Sequence, residues 1–429
     1  MSKHFIPLPL TNVLADGGYS ASVCLGSQLA KVNLIIDTGS STLVVHENRY
    51  QGMHDTRLQS TSLAQQVSYG VGGWFGSVVH TRFNILDVSV DDMPLALVHH
   101  EAEHSFINAD GIWGMAYHSL NRSYDMSEYL TANAIAPPAT YPWPFPENDQ
   151  PQFPLPEFQS EASDFKQLIH GLPEQDVATA FTLMEQQGLV SNRFAFIAHR
   201  SSIHHAKANM TPESLALDPL NQGMLILGGD ERLSQYFQGE FTDLKVVHDR
   251  YYNVNLLSLS LAGGAPIKLP SALEAQLSRG SSNAIIDTGA SLVSLPSQAF
   301  TQVIAELSQT VPQAAKLLAP FIGDINKVTQ AQSQGIAMSE LNLALWPALE
   351  FHFEGAADGR ASLSCPAECY WQLNSPAPGR AVFKLMGQLA GWPAQSILGL
   401  PLLNPYFVLF QRDSGEFGTV RFAAHRQKS

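Results

Sequence analysis

The pentapeptide Ile-Ile-Asp-Thr-Gly occurs twice, at residues 35–39 and 285–289. Each copy runs on into a small residue and a serine, Ser40-Ser41 in the first and Ala290-Ser291 in the second. Paired isoleucines favour a strand. Repeating this unit gives a fold two equivalent halves, each contributing one carboxylate. Two carboxylates about 3 Å apart cannot both ionise, so they share one proton. One then takes a proton from water while the other gives one to a carbonyl oxygen. Asp37 and Asp287 are therefore the expected acid–base pair, and this chemistry calls for no cofactor and no metal.

The repeat reaches beyond the aspartates. Asp110-Gly111-Ile112-Trp113-Gly114 follows the first copy and Ser396-Ile397-Leu398-Gly399 the second. Each is two apolar residues and a glycine. The apolar pair is expected to press against the acid-bearing strand, and the glycine to permit close backbone approach.

A chain of 429 residues exceeds one ordinary core and fits two lobes. We expect an N-terminal lobe over 1–210 and a C-terminal lobe over 211–429. A net charge of −14, with no Lys/Arg cluster, argues against a nucleic-acid surface. No run approaches the roughly 18 apolar residues of a membrane span. The first ten residues lack the apolar core of a secretory signal. Three cysteines, Cys24, Cys365 and Cys369, do not resemble a secreted disulfide framework. The expectation is a soluble, monomeric, cytoplasmic protein with free thiols, Cys24 lying in the core. Asn121-Arg122-Ser123 and Asn209-Met210-Thr211 then match a glycosylation acceptor only by chance.

Short apolar stretches punctuated by Gly, Asn and Pro predict a mainly β chain, with strands over 21–25, 32–36, 42–45, 223–227, 252–261 and 349–353. Helices are expected over 174–188, 270–279 and 297–309. The proline-dense stretch 137–156 predicts an extended surface insertion, with docking to a partner as the alternative.

Taken in order, these motifs resemble the pepsin family of aspartic peptidases over nearly the whole chain. Residues 67–73, Val-Ser-Tyr-Gly-Val-Gly-Gly, look like its flap hairpin, and 110–117 like its Asp-Gly-Ile-Leu-Gly segment. Gln187 to Ser191, Gly228-Gly229-Asp230, Tyr252-Asn253-Val254 and 397–410 with Gly418 resemble further family segments. The resemblance implies a bilobal, mainly β acid-protease fold, two β-barrel-like lobes with a long cleft between them. It implies acidic-pH cleavage of polypeptides between apolar residues and inhibition by statine-type compounds. Asp37 and Asp287 would be catalytic. Thr38, Ser40, Thr288, Ala290 and Ser291 would support them, while Gly39, Tyr69, Gly70, Val71, Ile112 and Gly289 would meet substrate. Bacterial members of the shewasin type are similar in character: the first aspartate comes so early that no prosegment, and no zymogen step, is expected. Three positions depart from the family pattern. Val44 replaces a tryptophan, Ala290 replaces a hydroxyl residue, and the cysteines do not reproduce the family's disulfides.

Two rival functions compete with this reading. His100-Glu101-Ala102-Glu103-His104 matches the H-E-x-x-H zinc-peptidase pattern. Zinc chemistry needs both histidines on one helix face and a third ligand, whereas this segment aligns with a strand and loop. The other rival is a non-catalytic peptide-binding protein on the same fold; such proteins usually lose part of one motif, and here both are complete.

Overall fold

The computed structural model of the chain describes residues 5–68, 73–102, 106–117, 120–144, 167–229, 231–270, 282–357, 359–388 and 394–426. It contains two compact units, Ala21–Gln187 and Met1–Ser20 with Gly188–Ser429. Among the described residues strands predominate, as the punctuation of the sequence requires.

The first unit is organised around three short strands and three long ones. β1, Ala30–Asp37, becomes continuously buried towards its acidic end, the signature of a strand covered on both faces. It is followed by β2, Leu43–His46. Then come three long antiparallel strands, β3 (Gln59–Ser68), β4 (Gly73–Ile85) and β5 (Val88–Ala102), and the fully buried β6, Gly111–Gly114. β6 lies parallel to β1, setting Ile36 beside Trp113 and Asp37 beside Gly114. Its other edge pairs antiparallel with β2, which in turn runs parallel to β5.

The second unit repeats this pattern. β7 (Ala284–Ile286) is parallel to β10 (Ser396–Leu398), with Ile286 beside Leu398. β10 pairs antiparallel with β8 (Val293–Leu295), and β8 runs parallel to β9 (Leu385–Gly387). A six-strand antiparallel run completes the unit: Ile6–Ala15, Gln222–Leu227, Arg193–Ile197, Tyr406–Gln411, Thr419–His425 and Phe237–Lys245. Phe194 stacks on Phe410 at 4.7 Å and Tyr252 meets Phe410 edge-on at 4.5 Å, so large aromatics fill this core.

The expected strands appear within a residue or two, except that the one expected over 21–25 begins at Gly18 and that 252–261 is broken into Asn253–Val254 and Leu256–Leu261. Asn255 interrupts it, its side-chain amide donating to Glu354 at 2.7 Å. The 297–309 helix is Ser297–Thr310. The 174–188 expectation is corrected: Glu174–Asp176 is a strand, and the helix spans only Ala180–Gln186. Thr179 starts it by accepting the Thr182 N–H, which fixes the boundary five residues late. The helix expected over 270–279 lies, apart from Pro270, outside the described residues.

The described part of the proline-rich stretch is seated on the domain. Thr140 is fully buried; its N–H donates to Thr61 O and its hydroxyl to Leu63 O at 2.6 Å. Ser77 on β4 donates back to Thr140 O at 2.5 Å. Trp143 stacks on His99 at 4.9 Å and tilts against Phe75. The extended backbone was expected; its burial was not. Residues 145–156 of that stretch lie outside the description.

Candidate active site

Asp37 is the last residue of its strand, and Asp287 directly follows its own. Asp37 N–H and C=O face β6, with Met115 N–H donating to Asp37 O at 2.7 Å. In the second unit Asp287 N–H donates to Leu398 O at 3.1 Å. Each chain then turns sharply, and the glycine two residues on points its N–H back at the carboxylate. Gly39 N–H reaches Asp37 Oδ1 at 2.7 Å, and Gly289 N–H reaches Asp287 Oδ1 at 2.8 Å. This is the shared half of the site: a buried or half-buried acid held by a backbone donor.

The accessory glycines explain the tight turns. A Cβ on Gly114 would lie 2.4 Å from the Ser41 carbonyl carbon, and one on Gly399 would lie 2.3 Å from Ala290 O. These glycines therefore admit the backbone just after each aspartate, rather than the acid-bearing strand itself. Ile112 and Trp113 are buried within the motif, and Trp113 meets Phe83 edge-on at 5.1 Å.

Beyond the backbone donor the halves diverge. Ser40 Oγ donates to Asp37 Oδ2 at 2.6 Å, a charge-assisted length. The equivalent residue in the second half is Ala290, which has no hydroxyl. Thr38 and Thr288 are fully buried, and Ser291 is half-buried. Val44 is fully buried and pairs in register with Ala96 and Ile112. Tyr69, Gly70 and Val71 lie outside the described residues.

The family comparison agrees with this duplicated motif. The sequence model of the eukaryotic aspartyl protease family matches residues 18–136 and 213–423, well over half of the chain. The chain belongs to the eukaryotic aspartyl protease family. It is also similar to "Cathepsin D" of Gallus gallus, 23% identical over 250 residues, covering 57% of this chain and 50% of the relative. "Vacuolar protease A" of Neurospora crassa is 25% identical over 145 residues, covering 31% and 34%. "Pepsin A" of Gallus gallus is 26% identical over 147 residues, covering 30% and 40%. The chain thus spans half or less of the length of these curated relatives. As a family member it has the mainly β, pepsin-like fold that the resemblance implied.

Residues that sequence reasoning passed over also hold the aspartyl protease motif in place. Asn33 and Asn283 stand four residues before the two aspartates, so the repeat begins earlier than the isoleucines. Asp110 accepts Asn33 N–H at 2.8 Å and pairs with Arg49 Nε at 2.9 Å, tying the start of β1 to β6. Asn283 bridges to Leu256 and Pro270, accepting one backbone N–H and donating to two carbonyls. Extending the alignment of the two copies by two residues would have found both.

The described residues of the H-E-x-x-H pattern do not stand on a helix. His99, His100 and Glu101 belong to strand β5, and His104 lies outside the described residues. A bulge opposite Phe75 accommodates His99, so Phe75 stacks on His100 at 5.1 Å and lies near His99. Glu101 is already engaged, by His46 at 2.6 Å and by Phe106 N–H at 2.8 Å. The cysteines are free thiols; Cys365 and Cys369 are buried and Cys24 is half-buried, less enclosed than expected. Asn121 is 4% exposed, which withdraws its triplet from glycosylation.

One buried cation borders the motif. Lys384 precedes β9, and its carbonyl accepts Val293 N–H at 2.9 Å, seating β8. Burial pulls its ammonium from 10.5 down to about 8; Asp16 opposes that shift and Arg200 adds to it. The unfolded chain therefore binds more protons than the folded one between about pH 8 and 10.5, and stability rises with pH there. Below that window the cost is fully present, on the order of 3 kcal/mol. Lys384→Met is expected to raise the melting temperature at pH 6–7, with the gain shrinking between pH 8 and 10.5. Thermal melts across that range check it; a gain independent of pH would contradict it.

Proposed function

We propose that this aspartyl protease family member is an active endopeptidase in which Asp37 and Asp287 act on one water. The ionised carboxylate takes the water's proton as oxygen attacks the peptide carbonyl, and the protonated one donates to the carbonyl oxygen. The tetrahedral intermediate collapses as the amine leaves with a proton. No acyl-enzyme forms. The observation that carries this reading is the completeness of both halves: each aspartate stands at the end of an equivalent strand or directly after it, and accepts an equivalent glycine N–H. Cleavage between apolar residues, statine-type inhibition, a cytoplasmic setting, a monomeric state and shewasin-type affinity belong to the same proposal.

The test is digestion of a peptide library across pH by wild type and Asp37→Ala, with and without a statine-type inhibitor. Cleavage lost in the variant and blocked by the inhibitor supports the proposal. Binding of peptides without turnover from pH 3 to 7 would favour the non-catalytic alternative.

The missing hydroxyl at position 290 gives a directional expectation. A hydroxyl donating to a carboxylate stabilises its ionised form and lowers its pKa. Ala290→Thr should therefore move the acid limb and the optimum of the pH–rate profile downward. An unchanged or more alkaline profile would count against a role for this position.

A further inference from the structure

The turn after Asp37 carries both donors that the carboxylate receives from Gly39 and Ser40, so its placement decides whether they reach. Its backbone is fastened on one side by Ala116 N–H to Ser40 O and Gly114 N–H to Thr42 O. Its side chains lead elsewhere. Ser41 Oγ donates to Tyr117 O at 2.6 Å, and Thr42 Oγ1 donates to Asn121 Oδ1 at 2.9 Å.

Asn121 has every hydrogen-bonding position of its amide in use. Oδ1 also accepts Gln65 Nε2 at 2.9 Å, and Nδ2 donates to Val177 O at 2.9 Å and Ala178 O at 3.2 Å. Two acceptor and two donor positions are all a carboxamide offers. The orientation is forced, because only the NH₂ group can serve two carbonyls. Thr42, Gln65 and Asn121 are all at least nine-tenths buried, so a lost partner would not be replaced freely by solvent. The tie is not part of the internal repeat. The residue equivalent to Thr42 in the second half is Leu292, which cannot make such a bond.

We infer that Asn121 is a positioning residue for Asp37: through Thr42 it fixes the turn after the aspartate to strand β3 and to the segment entering the Ala180–Gln186 helix. The inference rests on the endopeptidase reading for its catalytic consequence, but not for the linkage itself. Gln65 touches neither the turn nor Asp37 in this network, yet it shares the oxygen that holds Thr42. Disturbing Gln65 therefore loosens the turn from a distance.

The experiment uses the full chain with Thr42→Val, Thr42→Ser, Gln65→Leu and the Thr42→Val/Gln65→Leu pair. Thr42→Val deletes the hydroxyl at nearly constant shape, and Thr42→Ser restores it. On the best library peptide, kcat should fall roughly ten- to a hundredfold in Thr42→Val, the scale of a sub-ångström to 1 Å misplacement. KM should hold, and Thr42→Ser should recover most of the rate. The double variant should lose less than the two single losses combined, because both act through one oxygen. Equal kcat for wild type, Thr42→Val and Thr42→Ser, or strictly multiplicative losses, would overturn the inference.

Amide hydrogen exchange supplies a readout independent of turnover. Gln65→Leu should accelerate exchange over residues 38–44, and unchanged exchange there would overturn the linkage. If wild type cleaves no peptide, the endopeptidase reading fails while the exchange measurement still decides this one.

Discussion

Asp37→Asn and Asp287→Asn are each expected to lower kcat by roughly 10²–10⁴-fold across the whole pH range, the usual worth of a positioned acid or base. Asparagine is nearly isosteric with aspartate, and its carbonyl oxygen can still accept the glycine N–H that each carboxylate now accepts. The fold should therefore survive, with a melting temperature close to wild type. What disappears is the shared proton. One remaining carboxylate titrates alone and cannot present a base and an acid at once, so no pH restores the rate. Turnover of Asp287→Asn near the wild-type level would reject the acid–base pair outright. The loss should be similar at both positions, since the two depend on each other.

Gly114→Ala and Gly399→Ala should both be strongly damaging. The added methyl carbon would meet backbone atoms within 2.4 Å at the first site and within 2.3 Å at the second. The atoms it would meet are backbone, tied by Gly114 N–H to Thr42 O and by Leu400 N–H to Ala290 O, so neither partner can swing away as a side-chain end could. Overpacking of this kind costs about 1–3 kcal/mol and occasionally more. For domains of this size that lowers the melting temperature by roughly 2–4 °C per kcal/mol. Relief of the clash must displace the turn that carries Gly39 or Gly289, so activity should fall further than stability. Gly171→Ala is the control: its nearest neighbour, Leu168 O, would lie at an ordinary 3.5 Å. Melting curves and kcat for the three variants separate the effects; equal behaviour would show that close approach is not why these glycines are there.

Much of this architecture was legible in the sequence because it is written in local pattern. Strand periodicity, the doubled Ile-Ile-Asp-Thr-Gly and the apolar-apolar-glycine accessories each need only a few adjacent residues. The structure adds that both accessories are strands in the same place, β6 and β10. What stayed hidden depends on partners far along the chain. Asn121 read as a chance glycosylation triplet because its partners, Thr42 and Gln65, lie 79 and 56 residues away. Thr140 sat among prolines, and nothing nearby announced that β3 and β4 would take its hydrogen bonds. The zinc-like pattern carries no weight for a local reason: its spacing means something only on a helix, and residues 99–102 are strand. Asn33 and Asn283 were within reach of the same comparison that found the aspartates.

The seating of Thr140 and Trp143 sets a limit for anyone wishing to shorten this chain. The proline-dense stretch invites removal as a single block, but its opening residues serve as a bracket for two neighbouring strands. A trimmed version should keep everything through Pro144.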